Sequence, residues 1–526
     1  MFWADRIATE VKEGRSNSTG PLVVRDEKTV SGRVHVGAMR GVAIHGVVSE
    51  ALEHLGVANT FFFEINDFDP MDDIPSYLSR EQYEQYLGMP LNRIPSPDGK
   101  AASFAEFFAE DFIGVITHSG FEPSYYRSSE LYLSGKMDGV IREAIEGSDT
   151  IRRIYKEVSG SERQEKWLPI AVVCPTCGKL STTEASDFDG ETVAYHCSET
   201  KVDWTRGCGA KGRISPFGGN AKLPWKVEWP SKWKVMQVQV EGGGKDHSTR
   251  GGSRDIGVRI SREVFNYEPP FNIPYEFLLI GGQKMSSSKG RGASAREISE
   301  LLPQKIFRLA LLSKDYNQAI NFDPSGDTIP VLYDLYDKLA ESYKAGVEDD
   351  YAQLFRYAHA KSVRAGITVP FLPRFSQVAF LVQMSHLNMK DEVAALKGTP
   401  LTPEDEAELN ERATYAKHWL KEYAPEKFVF ALQDILPEAA RSLTAVQKKA
   451  LGALSAQIES KATMPTGEEL HAVLHGLKDS EGIAPGELFG AVYAAFLGKT
   501  HGPKAGWFLS VLPRDFVLLR LKEAAQ

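Results

Sequence analysis

Between positions 21 and 67 the apolar residues change their period twice. Leu22, Val23 and Val24 form a short continuous run, as in a buried strand. Val36, Met39, Val42, Ala43, Val47, Ala51, Leu52 and Leu55 then recur at helical spacing, and Gly56 ends the pattern. The following run, Thr60-Phe61-Phe62-Phe63-Glu64-Ile65, is β-branched and aromatic and closes on Asn66 and Asp67. Strand, turn, helix and strand predict a βαβ unit, and with it a parallel sheet with a right-handed crossover. Two later runs, residues 233–240 and 274–282, read as strands that stop at the Gly-rich segments 241–247 and 283–290. Ligands of open α/β sheets bind at such loops, beyond the strand carboxyl ends. A sheet split by a long insertion is therefore expected. From about Ser294 the pattern is helical, with capping signals at Thr402-Pro403, at Thr444 with Gln447 and at Thr466 with Glu469. The expected fold class is α/β followed by an all-α region. Its parts are a first half of the sheet domain (1–70), an insertion (71–225), a second half (226–293) and a helical region (294–526).

At about 100–200 residues per domain, 526 residues call for three or four domains. The chain is 42% hydrophobic and 25% charged, ordinary values that exclude disordered, collagenous and coiled-coil classes. No window approaches the roughly 20 apolar residues that span a bilayer. The first residues lack a basic-then-apolar signal pattern, so no membrane partner and a cytoplasmic location are expected. Net charge is −9, yet residues 201–262 hold 13 basic against 5 acidic side chains. The last thirty residues hold 5 against 2. Local potential governs binding, so a polyanionic partner stays open, although solvated faces would account for the same counts.

Three motifs carry chemistry. In Ser31-Gly32-Arg33-Val34-His35-Val36-Gly37-Ala38 a Gly-bearing turn precedes a helix, so backbone amides and the helix's positive end can meet a phosphate, with His35 as a further donor. In Lys284-Met285-Ser286-Ser287-Ser288-Lys289-Gly290 two lysines and three hydroxyls form a donor-rich clamp for a polyphosphate. Either alone is ordinary; the pair, about 250 residues apart, is not. The third is Cys174-Pro-Thr-Cys177-Gly, with Cys197 and Cys208 following after gaps of 19 and 10 residues. Four thiolates can close a tetrahedral structural Zn²⁺ site, with His196 an alternative to Cys197 and four unliganded thiols the competing explanation.

With these motifs the sequence resembles the class I aminoacyl-tRNA synthetases, whose signatures are His-Ile-Gly-His and Lys-Met-Ser-Lys-Ser. Thr29-x-Ser31-Gly32-x-x-His35-x-Gly37-x-x-Arg40, Trp229-Pro230-x-x-Trp233, Gly244-Lys245-Asp246-His247 and Met285-Ser286-Ser287-Ser288-Lys289-Gly290 together look like class I lysyl-tRNA synthetases, essentially over the whole chain. The resemblance implies a Rossmann-type catalytic domain with a zinc-binding insertion, and C-terminal helices that read the anticodon. It implies L-lysine, ATP with Mg²⁺ and tRNA(Lys) as substrates and partners, while protein partners stay open and a monomer is compatible. Catalysis would fall to His35, Lys284 and Lys289. ATP would meet Ser31, Gly32, His35, Gly37, Asp246, Met285, Ser286, Ser287, Ser288 and Lys289. Thr29, His247 and Tyr275 look like lysine-pocket residues.

A lysine ammonium needs a carboxylate partner. Glu64, Asp67 and Asp69 stand at or just after the second strand, at the ligand-binding end of the sheet, although each could equally be a solvated charge or a cap. Ala38 occupies the second His of the first signature, Val30 a usual Pro and Ser287 the second lysine of the other signature. Glu27 stands near where the family commonly has a small residue lining the amino-acid pocket. Phe496, Trp507 and Phe508 near Lys499, Lys504, Arg514 and Arg520 could stack and clamp anticodon bases, or be core. The alternatives are a class I synthetase for another amino acid, a small nucleotidyltransferase, and a non-catalytic tRNA-binding paralogue.

Overall fold

The structure, a computed structural model, describes residues 1–15, 20–282, 293–384 and 387–526. The chain divides into two compact units: Met1–Phe322 with Glu341–Ile367, and Asp323–Ala340 with Thr368–Gln526. The first unit opens with helix α1 (Trp3–Gly14) and the parallel unit β1 (Leu22–Thr29), α2 (Met39–His54), β2 (Asn59–Asn66). β1 runs beside β2 from Leu22 opposite Asn59 to Thr29 opposite Asn66. β3 (Ser124–Arg127) joins the far edge of β2, also parallel. Helix α2 is buried nearly all round, as its mixed Val, Ile and Ala surface demands of a helix covered on several sides. Even Arg40 is buried, donating from its two Nη atoms to the carbonyls of Leu311 and Asp315, each at 2.7 Å.

Beyond β1 the sheet resumes with residues more than 200 positions away. Val240 bridges Val24 and, on its other side, Phe271, both in parallel sense. Pro274–Tyr275 then pairs with Gly243–Gly244, and Leu278–Ile280 with Ile320–Phe322. The sheet is therefore split, and the segment between its halves forms a separate apolar cluster that includes Tyr132, Ile141, Val172 and Val193.

One expected strand is a helix. Most of residues 233–240, taken as a strand, falls at the end of helix α3 (Trp225–Val235) and the turn after it; only Val240 joins the sheet. Trp225, Trp229 and Trp233 repeat every four residues; the first two rings stack at 5.1 Å, and Trp233 meets Trp229 edge-on at 5.2 Å. Glu228 and Lys232 pair at the same interval, 3.4 Å apart. That period of four outweighs the short alternation of Val238 and Val240.

In the second unit the expected caps form. Thr402, Thr444 and Thr466 each accept from the amide three residues on, at 3.3, 3.3 and 3.2 Å. Asp405, Gln447 and Glu469 return a bond to the cap amide. Buried Arg412 links Glu408, Asp337 and the Pro373 carbonyl. Phe496, Phe508 and Arg520 are core residues, while half-buried Trp507 and exposed Lys504 line a small cavity with Phe428 and Phe430.

A buried network of charge ties the halves of the sheet together. Arg25 of β1 donates to Glu241 and Glu64, both at 2.5 Å, and to Glu27. Lys232 of α3 reaches Glu64 at 2.5 Å, and Tyr126 and Ser128 take up further positions on that carboxylate. Against the upward push of burial, Lys232 and Arg25 hold Glu64 well below the ordinary carboxylate range. Removing one member of a buried pair strands its partners, at a cost of about 3–5 kcal/mol. Arg25→Met is accordingly expected to lower the thermal midpoint sharply; a midpoint within a degree or two of the parent's would show that the network contributes little.

Candidate active site

A cavity of about 420 Å³ opens at the carboxyl ends of these strands. Its walls come from four places: the end of β1 (Asp26–Thr29), the turn at His35, Gly37 and Ala38, the segment 241–247, and Tyr275, Phe277 and Leu278. Trp225 and Trp229 of α3 add an aromatic side. His247 packs against both indoles, with ring centroids 5.9 Å away in each case.

Close backbone approach shapes the centre. A Cβ on Gly41 would come within 2.7 Å of Asp26 Oδ2 and 2.8 Å of the Tyr275 hydroxyl. At Gly242 it would lie 2.2 Å from the Ile273 carbonyl oxygen. His45, fully buried, locks this arrangement. The Gly242 amide donates to His45 Nε2 at 2.8 Å, so the proton sits on Nδ1, which donates to the Gly41 carbonyl at 2.8 Å. His45 is thus a neutral brace between α2 and the glycine-rich strand. Burial pushes the Tyr275 hydroxyl well above its ordinary value, so it stays protonated.

The turn at His35 pairs with the chain that follows the second motif. The Val36 amide donates to the Ala293 carbonyl at 3.3 Å, and the Ala295 amide to the Val34 carbonyl at 2.8 Å. His35 therefore bridges Ser294 in an antiparallel contact, directly after the Ser-rich segment. At the other end, the Gly282 amide donates to Asn321 Oδ1 at 2.8 Å. Lys284, Met285, Ser286, Ser287, Ser288 and Lys289 themselves lie outside the described residues.

Of the remaining expected site residues, Thr29, His35, Gly37, Asp246, His247 and Tyr275 line the cavity. Ser31 and Gly32 lie in the turn ahead of His35 and are not among its walls. Glu64 and Asp67 do not reach it. Glu64 is fully buried within the charge network, and Asp67 accepts from the Ser129 amide at 2.8 Å and hydroxyl at 2.5 Å, fixing the start of the next helix. The wall carboxylates at this end are instead Asp26, Glu27, Asp69 and Glu241. Asp69 accepts from Thr29 Oγ1 at 2.7 Å and pairs with Lys222 at 3.0 Å. Against burial, Lys222 and Thr29 hold it below its ordinary value. Trp225 and Glu241 were not anticipated as site residues. The four-residue Trp spacing could have revealed the first, but nothing local marks the second.

In the insertion, the four cysteine sulfurs all lie within 4.8 Å of one another. Cys174 and Cys208 are 3.7 Å apart, as are Cys177 and Cys197. Zn–S bonds of about 2.3 Å in a tetrahedron require S···S edges of about 3.8 Å, so the donor set fits. Gly178 and Gly209 follow the two knuckles at φ +73° and +77°, a left-handed turn that L side chains resist. Cys197 is buried while His196, its neighbour on the strand Val193–Cys197, points to the other face; the cluster uses the cysteine.

The chain is similar to known proteins along its whole length. Residues 1–363 match the family model described as tRNA synthetases class I (K), and residues 407–525 match an anticodon-binding domain. A lysine–tRNA ligase of Methanosarcina barkeri is 34% identical over 544 residues, covering 100% of this chain and 98% of its own. One from Archaeoglobus fulgidus is 31% identical over 527 residues, covering 100% of both. Among solved structures, a glutamate–tRNA synthetase from Elizabethkingia anophelis aligns over 96% of this chain and 100% of its own, at 13% identity and a TM-score of 0.42. The chain belongs to the class I tRNA synthetases, in the family described as class I (K).

Proposed function

We propose that this enzyme is a lysine–tRNA ligase, activating L-lysine with ATP and transferring it to the 3′ end of tRNA(Lys). The observation that carries this is the pairing of Val34–Val36 with Ala293–Ala295, which holds the phosphate turn and the base of the Ser-rich segment side by side at the mouth of an acid-walled cavity. Full-length kinship with lysine–tRNA ligases of archaea supports the amino acid and the tRNA.

The lysine carboxylate attacks the α-phosphorus of ATP, forming lysyl-adenylate and releasing pyrophosphate. No general base is required, because the carboxylate is ionised at neutral pH. His35, the amides ahead of α2, Lys284 and Lys289 stabilise charge on the phosphates, with the turn residues Ser31, Gly32 and Gly37 letting the backbone come close. Mg²⁺ brought with ATP offsets phosphate charge. Asp246 takes the ribose, while Thr29, His247 and Tyr275 hold lysine, its stem lying along Trp225 and Trp229. A ribose hydroxyl at the tRNA terminus then attacks the adenylate carbonyl, forming the ester and releasing AMP. Cys174, Cys177, Cys197 and Cys208 would hold a structural zinc ion, whose role with four protein thiolates would be to brace the insertion.

ATP–pyrophosphate exchange across the standard amino acids, with and without tRNA, should respond to lysine; exchange with another amino acid would overturn the substrate. Lys289→Ala is expected to slow adenylate formation at least tenfold with little change in lysine binding, and an unaltered rate would remove that residue from the mechanism. The purified chain should hold one zinc per molecule, lost in Cys174→Ser/Cys177→Ser; a metal-free chain with unchanged thermal midpoint would refute the zinc site.

A further inference from the structure

The acidic end of the cavity is short of positive charge. Three cations, Arg25, Lys222 and Lys232, face five carboxylates, Glu27, Glu64, Asp69, Glu228 and Glu241, in one connected cluster. Three of the five have both oxygens hydrogen-bonded, and Glu228 is met at one of its two by ion pairs alone. Glu64 is bonded to Arg25, Lys232, Tyr126 and Ser128, and Asp69 to Thr29, Asn66 and Lys222. Glu228 meets Tyr132 through one oxygen and both lysines through the other. Glu241 meets Arg25, Trp229 and Trp233.

Glu27 differs. Its contacts with Arg25 and, at 3.9 Å, with Lys232 both run through Oε2, and Oε1 takes no hydrogen bond among the described residues. The side chain is 13% exposed, and that exposure is to the cavity it lines. A buried carboxylate needs pairing and hydrogen bonds on all its acceptors, so the site lacks one cation at a defined place.

We propose that Glu27 selects a cationic amino-acid side chain, its Oε1 receiving the ligand's terminal ammonium as the missing cation of the network. This rests on the lysine-ligase reading above and names the group that makes the pocket prefer lysine to an uncharged side chain with the same carbon stem. Asp69 and Glu64 serve beneath it, already neutralised by the protein's own lysines and arginine. A neutral ligand would seal Glu27 from water without pairing it, so selectivity comes from the penalty on the wrong substrate as well as the attraction for the right one.

A pH signature follows. Burial pushes the Glu27 carboxyl up to about 7, with Arg25 and Lys232 pulling the other way and Glu64 and Glu241 adding to the push. Lys28, which interacts with Glu27 and Asp69, and Asp26 stand beside it on β1, with Glu228 on α3 and Asp69 and His247 on the cavity wall. An ammonium binds the ionised form, so the KM for lysine should rise as pH falls through about 7 and level off above it.

The test is aminoacylation by the full chain with tRNA, from pH 6 to 8.5, with norleucine as competing neutral ligand. Glu27→Gln should raise the lysine KM at least tenfold at pH 8, leave the ATP KM within twofold and flatten the pH dependence. Lysine's advantage over norleucine, taken as norleucine's inhibition constant over the lysine KM, should fall at least tenfold. Glu27→Asp, which keeps the charge, should retain most of that preference and covers the case in which the glutamine variant does not fold. Lysine charging by the parent with unchanged lysine KM and preference in Glu27→Gln overturns this proposal alone, as does a parent KM that is flat across the pH range. A parent chain that charges another amino acid in place of lysine overturns the ligase reading, and this one with it.

Discussion

Everything around the cavity depends on keeping six charged side chains out of water at the junction of the two half-sheets, with two more, Glu27 and Asp69, at the cavity wall. Arg25 sits at the middle of β1, where a parallel strand covered on both faces would ordinarily carry an aliphatic residue. Its guanidinium instead reaches Glu64 on the neighbouring strand and Glu241 in the resumed half. Lys232 and Lys222 extend the network toward α3 and the insertion. Such a cluster is weak evidence for net stability, because desolvation consumes much of the Coulomb gain. Its geometric effect is plainer: it fixes the relative position of pieces of chain that are distant in sequence and form opposite walls of one cavity.

Packing and polarity divide the labour. The glycines at 41 and 242 remove side-chain bulk so that Tyr275, Asp26 and the Ile273 carbonyl can approach, and His45 pins the two backbones with one bond on each ring nitrogen. The stacked indoles of α3 give the cavity an apolar flank. Beside that flank stand the carboxylates, each but Glu27 of the connected five already met at both oxygens. An amphipathic ligand with a long stem and a cationic tip matches both surfaces.

The zinc-type cluster and the capped C-terminal helices stand apart from this chemistry. Four sulfurs lie at tetrahedral spacing in an insertion whose strands are short. In the helical unit Arg412 is buried by the same logic as Arg25, with two carboxylates and a carbonyl around it. Aromatic residues there mostly close the core: Phe496 and Phe508 are inaccessible, which leaves Trp507 as the half-exposed ring of the group.

Local sequence determined the βαβ unit, the split of the sheet, the knuckle at Cys174 and the helix caps, because each depends on periodicity or on residues within a few positions. It also pointed to His35, Thr29 and His247 through motifs, and to Tyr275 through resemblance, and all four line the cavity. It misassigned residues 233–240, where a few alternating valines competed with a four-residue Trp repeat and lost. It placed Glu64 and Asp67 at the right end of the right strand, but could not tell a carboxylate that faces the cavity from one turned into the protein. That difference is set by which donors arrive from elsewhere, Arg25 and Lys232 for Glu64 and the Ser129 amide for Asp67. Only the tertiary structure decided that Glu27 is left with an open oxygen, because the charge balance of a buried site is a property of all the strands and helices that meet there.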